Sequence, residues 1–202
     1  MSESYYEIMY RRDENPFGRT WEEWTARWWQ WALSIPREHN PGNDETGEKF
    51  NKNQNNHDVL FLAGTFGGSA EREIIIPARK AILMPVINFT TSYAEEPALK
   101  SESELISRAR YDIDDIVKKE ATIDGMSIQG LEKYRVASPL FDITLPDNNV
   151  IGVPPGLTQG VSDGYWLFLK PLPPGKHEIR ACGSCSSGRT NIDITFHITV
   201  KE

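Results

Sequence analysis

Asn191-Ile-Asp-Ile-Thr-Phe-His-Ile-Thr-Val200 alternates without a break. Ile192, Ile194, Phe196, Ile198 and Val200 fall on one face, and Asp193, Thr195, His197 and Thr199 on the other. A period of two is the mark of a strand with one buried face. Working backwards, Lys176–Cys182 and Gly164–Lys170 read as strands separated by the turn Pro173-Pro174-Gly175. Val150–Val153 and Ser138–Leu145 extend the series, and Asp124-Gly125 places a hairpin within Ala121–Ile128. Asp58–Phe66, Glu71–Ile76 and Ala81–Phe89 complete it. Pro85 marks an edge position or a bulge, because proline has no N–H for a ladder. Many short strands with Gly/Pro turns predict a mainly β chain: an antiparallel sandwich, jelly-roll-like or immunoglobulin-like. The Gly64-Thr-Phe-Gly67-Gly68 turn lacks the lysine and helix of a phosphate-binding loop.

Two helices interrupt this pattern. Thr20-Trp-Glu-Glu23 and Ser101-Glu-Ser-Glu104 each fit a capping box, in which the first side chain accepts the amide three residues on and the glutamate reaches back. In the first helix Trp21, Trp24, Trp28, Trp31 and Ile35 share a face. Four such tryptophans carry roughly 800 Å² of surface that must leave water, so they belong to the core. Trp29 lies off this stripe and is the tryptophan suited to a binding rim. In the second helix, Leu105, Ala109, Ile113, Ile116 and Val117 keep the helical period, with Glu104–Arg108, Asp114–Lys118 and Asp115–Lys119 as supporting pairs. The boundaries expected are an N-terminal arm over 1–16 and one domain over 17–202, with helices near 20–35 and 102–119. The polar stretch 39–56 is a long loop of the kind that is functional or mobile.

The chain has 202 residues, 22 Lys plus Arg and 29 Asp plus Glu, for a net charge of −7. That balance argues against phosphate-backbone recognition and hence against nucleic acid as a partner. No apolar run reaches the ~18 residues of a membrane span, and Met1–Arg12 has no signal-peptide core, so a cytoplasmic protein without membrane partners is expected.

Residues with chemical potential are scattered. Cys182-Gly-Ser-Cys185 resembles half of a zinc site, but no second pair stands at zinc spacing, so neither a metal nor a cofactor is expected. The four histidines are not organised into a hydrolase motif. Asp112, Asp114 and Asp115 read as a solvated helix face. Two loop clusters remain, Asp147-Asn148-Asn149 and Ser162-Asp163-Gly164 before Tyr165-Trp166. Asx side chains beside aromatic rings can hydrogen-bond hydroxyls and stack a sugar face.

The stretches Trp24–Pro36, Phe61–Thr65, Val161–Trp166 and Pro171–His177 together resemble a family of uncharacterised microbial proteins, over about Phe17 to Val200. The resemblance implies one domain, and for most members secretion and a cysteine pair flanking the Phe61 region. Phe50 and Ile74 stand in those neighbourhoods here, which fits a cytoplasmic member. It implies no activity.

The expected function is therefore a non-catalytic binding or structural module, with a small polar ligand such as a glycan. The candidate ligand residues are Asp147, Asn148, Asn149, Asp163, Tyr165, Asn88 and Trp166. Two alternatives stand beside it: a hydrolase or lyase using loop carboxylates and a histidine, and a metal-binding protein.

Overall fold

The computed structural model describes residues 8–202. Ten strands and two helices follow in the order β1 (Val59–Phe61), β2 (Gly68–Pro77), β3 (Ala81–Ser92), β4 (Ile116–Ile123), β5 (Met126–Ser127), β6 (Arg135–Ala137), β7 (Phe141–Leu145), β8 (Gly156–Leu169), β9 (Gly175–Cys185) and β10 (Asn191–Lys201), with α1 (Trp21–Leu33) before β1 and α2 (Glu102–Asp114) between β3 and β4. They form two sheets. The first runs β1-β3-β8-β6, with β7 also on β8, and the second runs β2-β10-β9-β4-β5.

The chain is mainly β as expected, but its sheets are mixed rather than purely antiparallel. β1 pairs with β3, and β2 with β10, in parallel. Alternation along β10 determines which face is buried but says nothing about the direction of the strand beside it.

The sheets face one another. A Cβ placed on Gly183 of β9 would lie 3.0 Å from the side chain of Ile87 on β3. The apolar phase of β10, Ile192 to Val200, lies buried in that interior with Ile74, Ile76, Ile179 and Ile123. Pro85 coincides with a register shift between Pro85 and Ile87 in the β3–β8 ladder, the bulge its missing N–H demands.

α1 covers the outer face of the first sheet. Its capping box is complete: the Glu23 amide donates to Thr20 Oγ1 at 3.2 Å, and the Thr20 amide to Glu23 Oε2 at 2.9 Å. Trp21 and Trp24 meet Phe168 edge-on at 5.4 and 5.9 Å, and Trp28 meets Trp166 at 5.3 Å. The indole N–H of Trp28 donates to the Leu62 carbonyl at 3.0 Å, which ties the helix to the segment leaving β1.

Several local expectations change. The second helix ends at Asp114 rather than 119, and Ile116–Lys119 begin β4. β-branched Ile116 and Val117 satisfy a strand as readily as a helix, and β9 supplies the ladder. The supporting helix pairs are consequently Arg108–Asp112 and Arg110–Asp114. Asp112 is buried, not solvated, between Arg108 and Arg189. Val150–Val153 forms a turn rather than a strand, and Arg135–Ala137 adds β6 to the expected series. The 39–56 loop is ordered by its polar side chains, described below. Of the expected N-terminal arm, residues 1–7 lie outside the described residues; Met9 is buried and bridges Leu169 at the end of β8. Cys182 and Cys185 are free thiols three residues apart on β9, so strand alternation directs them to opposite faces of the sheet.

Candidate ligand-binding cavity

β1 accompanies β3 only across Ala81–Leu83, with one further bond from the Leu62 amide to the Leu83 carbonyl. β3 then continues to Ser92 with β8 on its other side. Among the described residues, no strand pairs with the remaining edge of β3 from Pro85 onward. A cavity of 220 Å³ lies along this edge. Trp28, Trp29 and Ala32 of α1 form one wall, Ala63–Phe66 a second, and Pro85 and Ile87–Thr90 of β3 the third, with Asn40, Gly42, Glu95, Ile151, Thr190 and Ile192 closing the space. At about 30 Å³ per water, it holds the volume of roughly seven water molecules.

Buried polar side chains hold these walls in place. Asn40 donates its amide to the carbonyls of Ala32 and Ile35 at 2.7 and 3.1 Å and accepts from the Gly42 amide at 2.9 Å. A Cβ on Gly42 would lie 2.4 Å from the exposed Phe66 ring, so the absence of a side chain there lets that ring lie against the wall. Arg72, 2% exposed, donates from Nε to the Asp44 carbonyl and from Nη1 to the Ala63 carbonyl, both at 2.6 Å, and from Nη2 to the Gly64 carbonyl at 3.2 Å. Its guanidinium also lies 5.5 Å from the Phe196 ring centre. Burial lowers its pKa to about 10, with the charge of Asp44 opposing that shift. One side chain thus ties the 39–56 loop and the wall Ala63–Gly64 to β2.

Two polar atoms among the lining residues have no partner. Trp29 Nε1 and Asn88 Nδ2 are buried without a hydrogen bond, an arrangement that usually costs 1–3 kcal/mol. Glu95 adds a carboxylate whose Oε2 accepts from the Ser92 hydroxyl at 2.8 Å. Burial raises its pKa; the Ser92 bonds and Arg108 oppose this, and Glu96 adds to it.

The structure does not gather the seven expected ligand residues into one place. Asn88 lines the cavity. Trp166 is fully buried beneath Trp28. Tyr165 is buried with Lys119 Nζ 4.7 Å from its ring centre, and Asp163 is buried in a pair with Arg135. Asn149 is used up within its own turn, its amide donating to Pro146 and Val153 carbonyls while its carbonyl accepts from Gly152 and Val153 amides. Asn148, in the left-handed region, donates to Glu38, and Asp147 is exposed. This loop reaches the cavity only through Ile151. Of the side chains that do build the site, Trp29 was legible as the tryptophan off the stripe. Arg72 also has a signal in the sequence: it is a charged residue in phase with Ile74 and Ile76 on the buried side of β2.

Histidine–carboxylate pairs occur elsewhere. On the outer face of the second sheet, His197 Nε2 is 2.5 Å from Glu71 and its Nδ1 is 3.6 Å from Glu178. His177 Nδ1 is 2.7 Å from Asp124. All five line a broad depression on that sheet. Among the described residues, no group of three or more His, Cys, Asp or Glu is placed to hold a metal ion. No described helix is long and apolar enough to cross a membrane.

The chain matches no family model. No curated protein matches it either. A solved structure titled "Structure of PbICP-C in complex with falcipain-2" is similar over 71% of this chain and 99% of that one, at 9% identity and a TM-score of 0.28. A likeness that weak carries neither fold nor function across.

Proposed function

We propose that this protein is a non-catalytic binding module whose ligand, a small polar molecule of the glycan class, sits between α1 and the free edge of β3. The observation that carries the reading is the cavity itself, in which Asn88 and Glu95 line the same space as Trp28, Trp29, Phe66 and Phe89. Asn88 and Glu95 offer an amide and a carboxylate to the hydroxyl groups of such a molecule. The surroundings supply the other half of sugar recognition: aromatic surface at Trp28, Trp29, Phe66 and Phe89 for the apolar face of a ring. The walls are held by Arg72 and Asn40 before any ligand arrives, which reduces the ordering cost of binding. Within this reading the architecture is a sandwich of jelly-roll-like or immunoglobulin-like kind, supported by the packing of Gly183 on Ile87. The compartment is cytoplasmic, a setting that suits two free thiols.

The test is a titration of the full ¹⁵N-labelled chain with single monosaccharides. The expected result is a saturable shift of the Trp29 indole resonance, identified by its loss in Trp29→Phe. A panel of common hexoses and N-acetylhexosamines with no saturable response overturns the proposal.

A second reading, hydrolase or lyase chemistry, draws on His197 between Glu71 and Glu178, since a histidine within hydrogen-bond reach of a carboxylate is the arrangement general acid–base catalysis uses. Hydrolysis of a chromogenic glycoside panel that His197→Ala abolishes would establish it; equal, background-level rates for both proteins would remove it.

A further inference from the structure

We propose that His177 is a pH-sensitive latch, which holds the turn Pro173-Pro174-Gly175 leading into β9 against the turn that joins β4 to β5. The latch rests on a count of protons. Nδ1 of His177 lies 2.7 Å from Asp124 Oδ2, and Nε2 lies 2.9 Å from the Pro173 carbonyl oxygen. Both partners can only accept, since an ionised carboxylate and a backbone carbonyl have no proton to give. A neutral imidazole carries one N–H and makes only one of these bonds, whereas the imidazolium makes both. Histidine is the side chain that ordinarily passes between those forms from about pH 5 to pH 8. The His177 side chain is 11% exposed, so water has little room to replace a lost partner.

Asp124 stays in place whichever form the ring takes. Its amide donates to the Glu178 carbonyl at 2.8 Å, and its Oδ1 accepts from the Glu178 amide at 2.8 Å, which pins it to β9. The other side has less to hold it, because Pro173 and Pro174 have no N–H to donate. When the ring gives a proton to water, the remaining proton stays with the carboxylate, the stronger acceptor. Nε2 then presents a lone pair to the Pro173 carbonyl, and the turn is released. Buried Leu172 and the pairing of Gly175 with Val200 confine the release to the residues between them. Lys176, Glu178, Glu45, Glu71, Glu73 and His197 line the same depression. His197 stands between Glu71 and Glu178, so its charge has to be separated from that of His177.

The experiment records ¹⁵N spectra and relaxation of the intact protein between pH 5 and pH 8. It follows the His177 ring nitrogens, recognised by their loss in His177→Gln, and the Leu172 and Gly175 amides that flank the two prolines. In the parent both ring nitrogens should be protonated at the acid end. As the ring loses a proton, both amides should shift with the same midpoint, and Gly175 should gain fast mobility. A ring whose proton count is the same at both ends overturns the latch, as does a ring that changes charge while Gly175 stays rigid. Asp124→Asn isolates the pair, since asparagine keeps the shape and tolerates the left-handed backbone of Asp124. Its amide oxygen accepts from the Glu178 amide and its NH₂ donates to Nδ1, so a neutral ring protonated on Nε2 makes both bonds. With a thermal midpoint close to the parent's, Asp124→Asn should hold Gly175 equally rigid at both ends of the range, while any effect of His197 remains in both proteins. The parent's pH dependence persisting in Asp124→Asn overturns the proposal.

Discussion

Arg135 holds Asp163 from two directions: Nε lies 3.1 Å from both carboxylate oxygens, and Nη2 lies 2.6 Å from Oδ2. The same guanidinium reaches Asp114 of α2 through Nη1 at 2.6 Å. The Asp163 side chain is 6% exposed and that of Arg135 29%. Asp163 therefore joins β8 to β6 and, through Arg135, to the C-terminal end of α2. The hydrogen bonds to Asp163, then the one to Asp114 and the charges of both carboxylates, outweigh burial and hold Arg135 more basic than a free arginine.

Removing Arg135 strands a buried carboxylate. Arg135→Ala is expected to lower stability by about 3 kcal/mol, the lower end of the range for breaking a buried pair because Arg135 is partly solvated. Exchanging both partners for apolar residues, Arg135→Met with Asp163→Leu, should cost less than the single change. Urea titration of the three proteins measures this, and a double variant weaker than Arg135→Ala would contradict the account.

Trp28 separates packing from hydrogen bonding. Trp28→Ala should cost about 3–5 kcal/mol, through the cavity left against Trp166. Trp28→Phe retains most of the ring and loses the bond to the Leu62 carbonyl, so it should cost less than Trp28→Ala while still destabilising by about 1 kcal/mol or more. A loss under about 1 kcal/mol in Trp28→Ala would mean that this face of α1 is not packed.

Asp44 makes part of the acid sensitivity local. Burial works to raise its pKa, but the amides of Lys49, Thr46 and Gly47 and the Thr46 hydroxyl outweigh it and hold the carboxyl below its ordinary value. A carboxyl more acidic in the folded than in the unfolded chain contributes stability that is complete above about pH 4 and is lost as pH falls through the folded value. Asp44→Asn should therefore be less stable than the parent at neutral pH, with the gap narrowing below about pH 4. Denaturant midpoints across that interval report it; a constant gap would mean that Asp44 does not drive the difference.

Two glycines near the cavity should respond oppositely to alanine. At Gly42 the added methyl meets the ring of Phe66, which is 52% exposed and free to swing. At Gly164 it meets the backbone of Asn88, whose Cα would lie 2.8 Å away. Gly42→Ala should cost well under 1 kcal/mol while widening the cavity mouth, and Gly164→Ala about 1–3 kcal/mol, the usual penalty of overpacking. Thermal unfolding of both distinguishes them, and equal losses would argue that the Phe66 ring is fixed.

By itself the sequence determined what depends on neighbours along the chain. Both capping boxes formed because Thr20 and Ser101 each sit three residues before a glutamate. The tryptophan stripe was buried because a helical period puts Trp21, Trp24 and Trp28 on one side whatever lies opposite. The buried face of β10 followed from strict alternation, and the bulge at Pro85 from a missing N–H. The tertiary structure alone decided the rest. Which strand lies beside which is a matter of long-range pairing, so the parallel neighbours of β3 and β10 left no local trace. The same holds for the fate of polar side chains. Asp163 and Asn149 have the residue types of a binding loop, yet Arg135, 28 positions away in the chain, and a local turn consume them. Trp29 and Asn88 stand 59 positions apart and become one site because β1 stops short, leaving a length of β3 uncovered beneath α1. A side chain's chemistry is local, but whether its hydrogen bonds are already spent depends on which distant residues the fold brings to it.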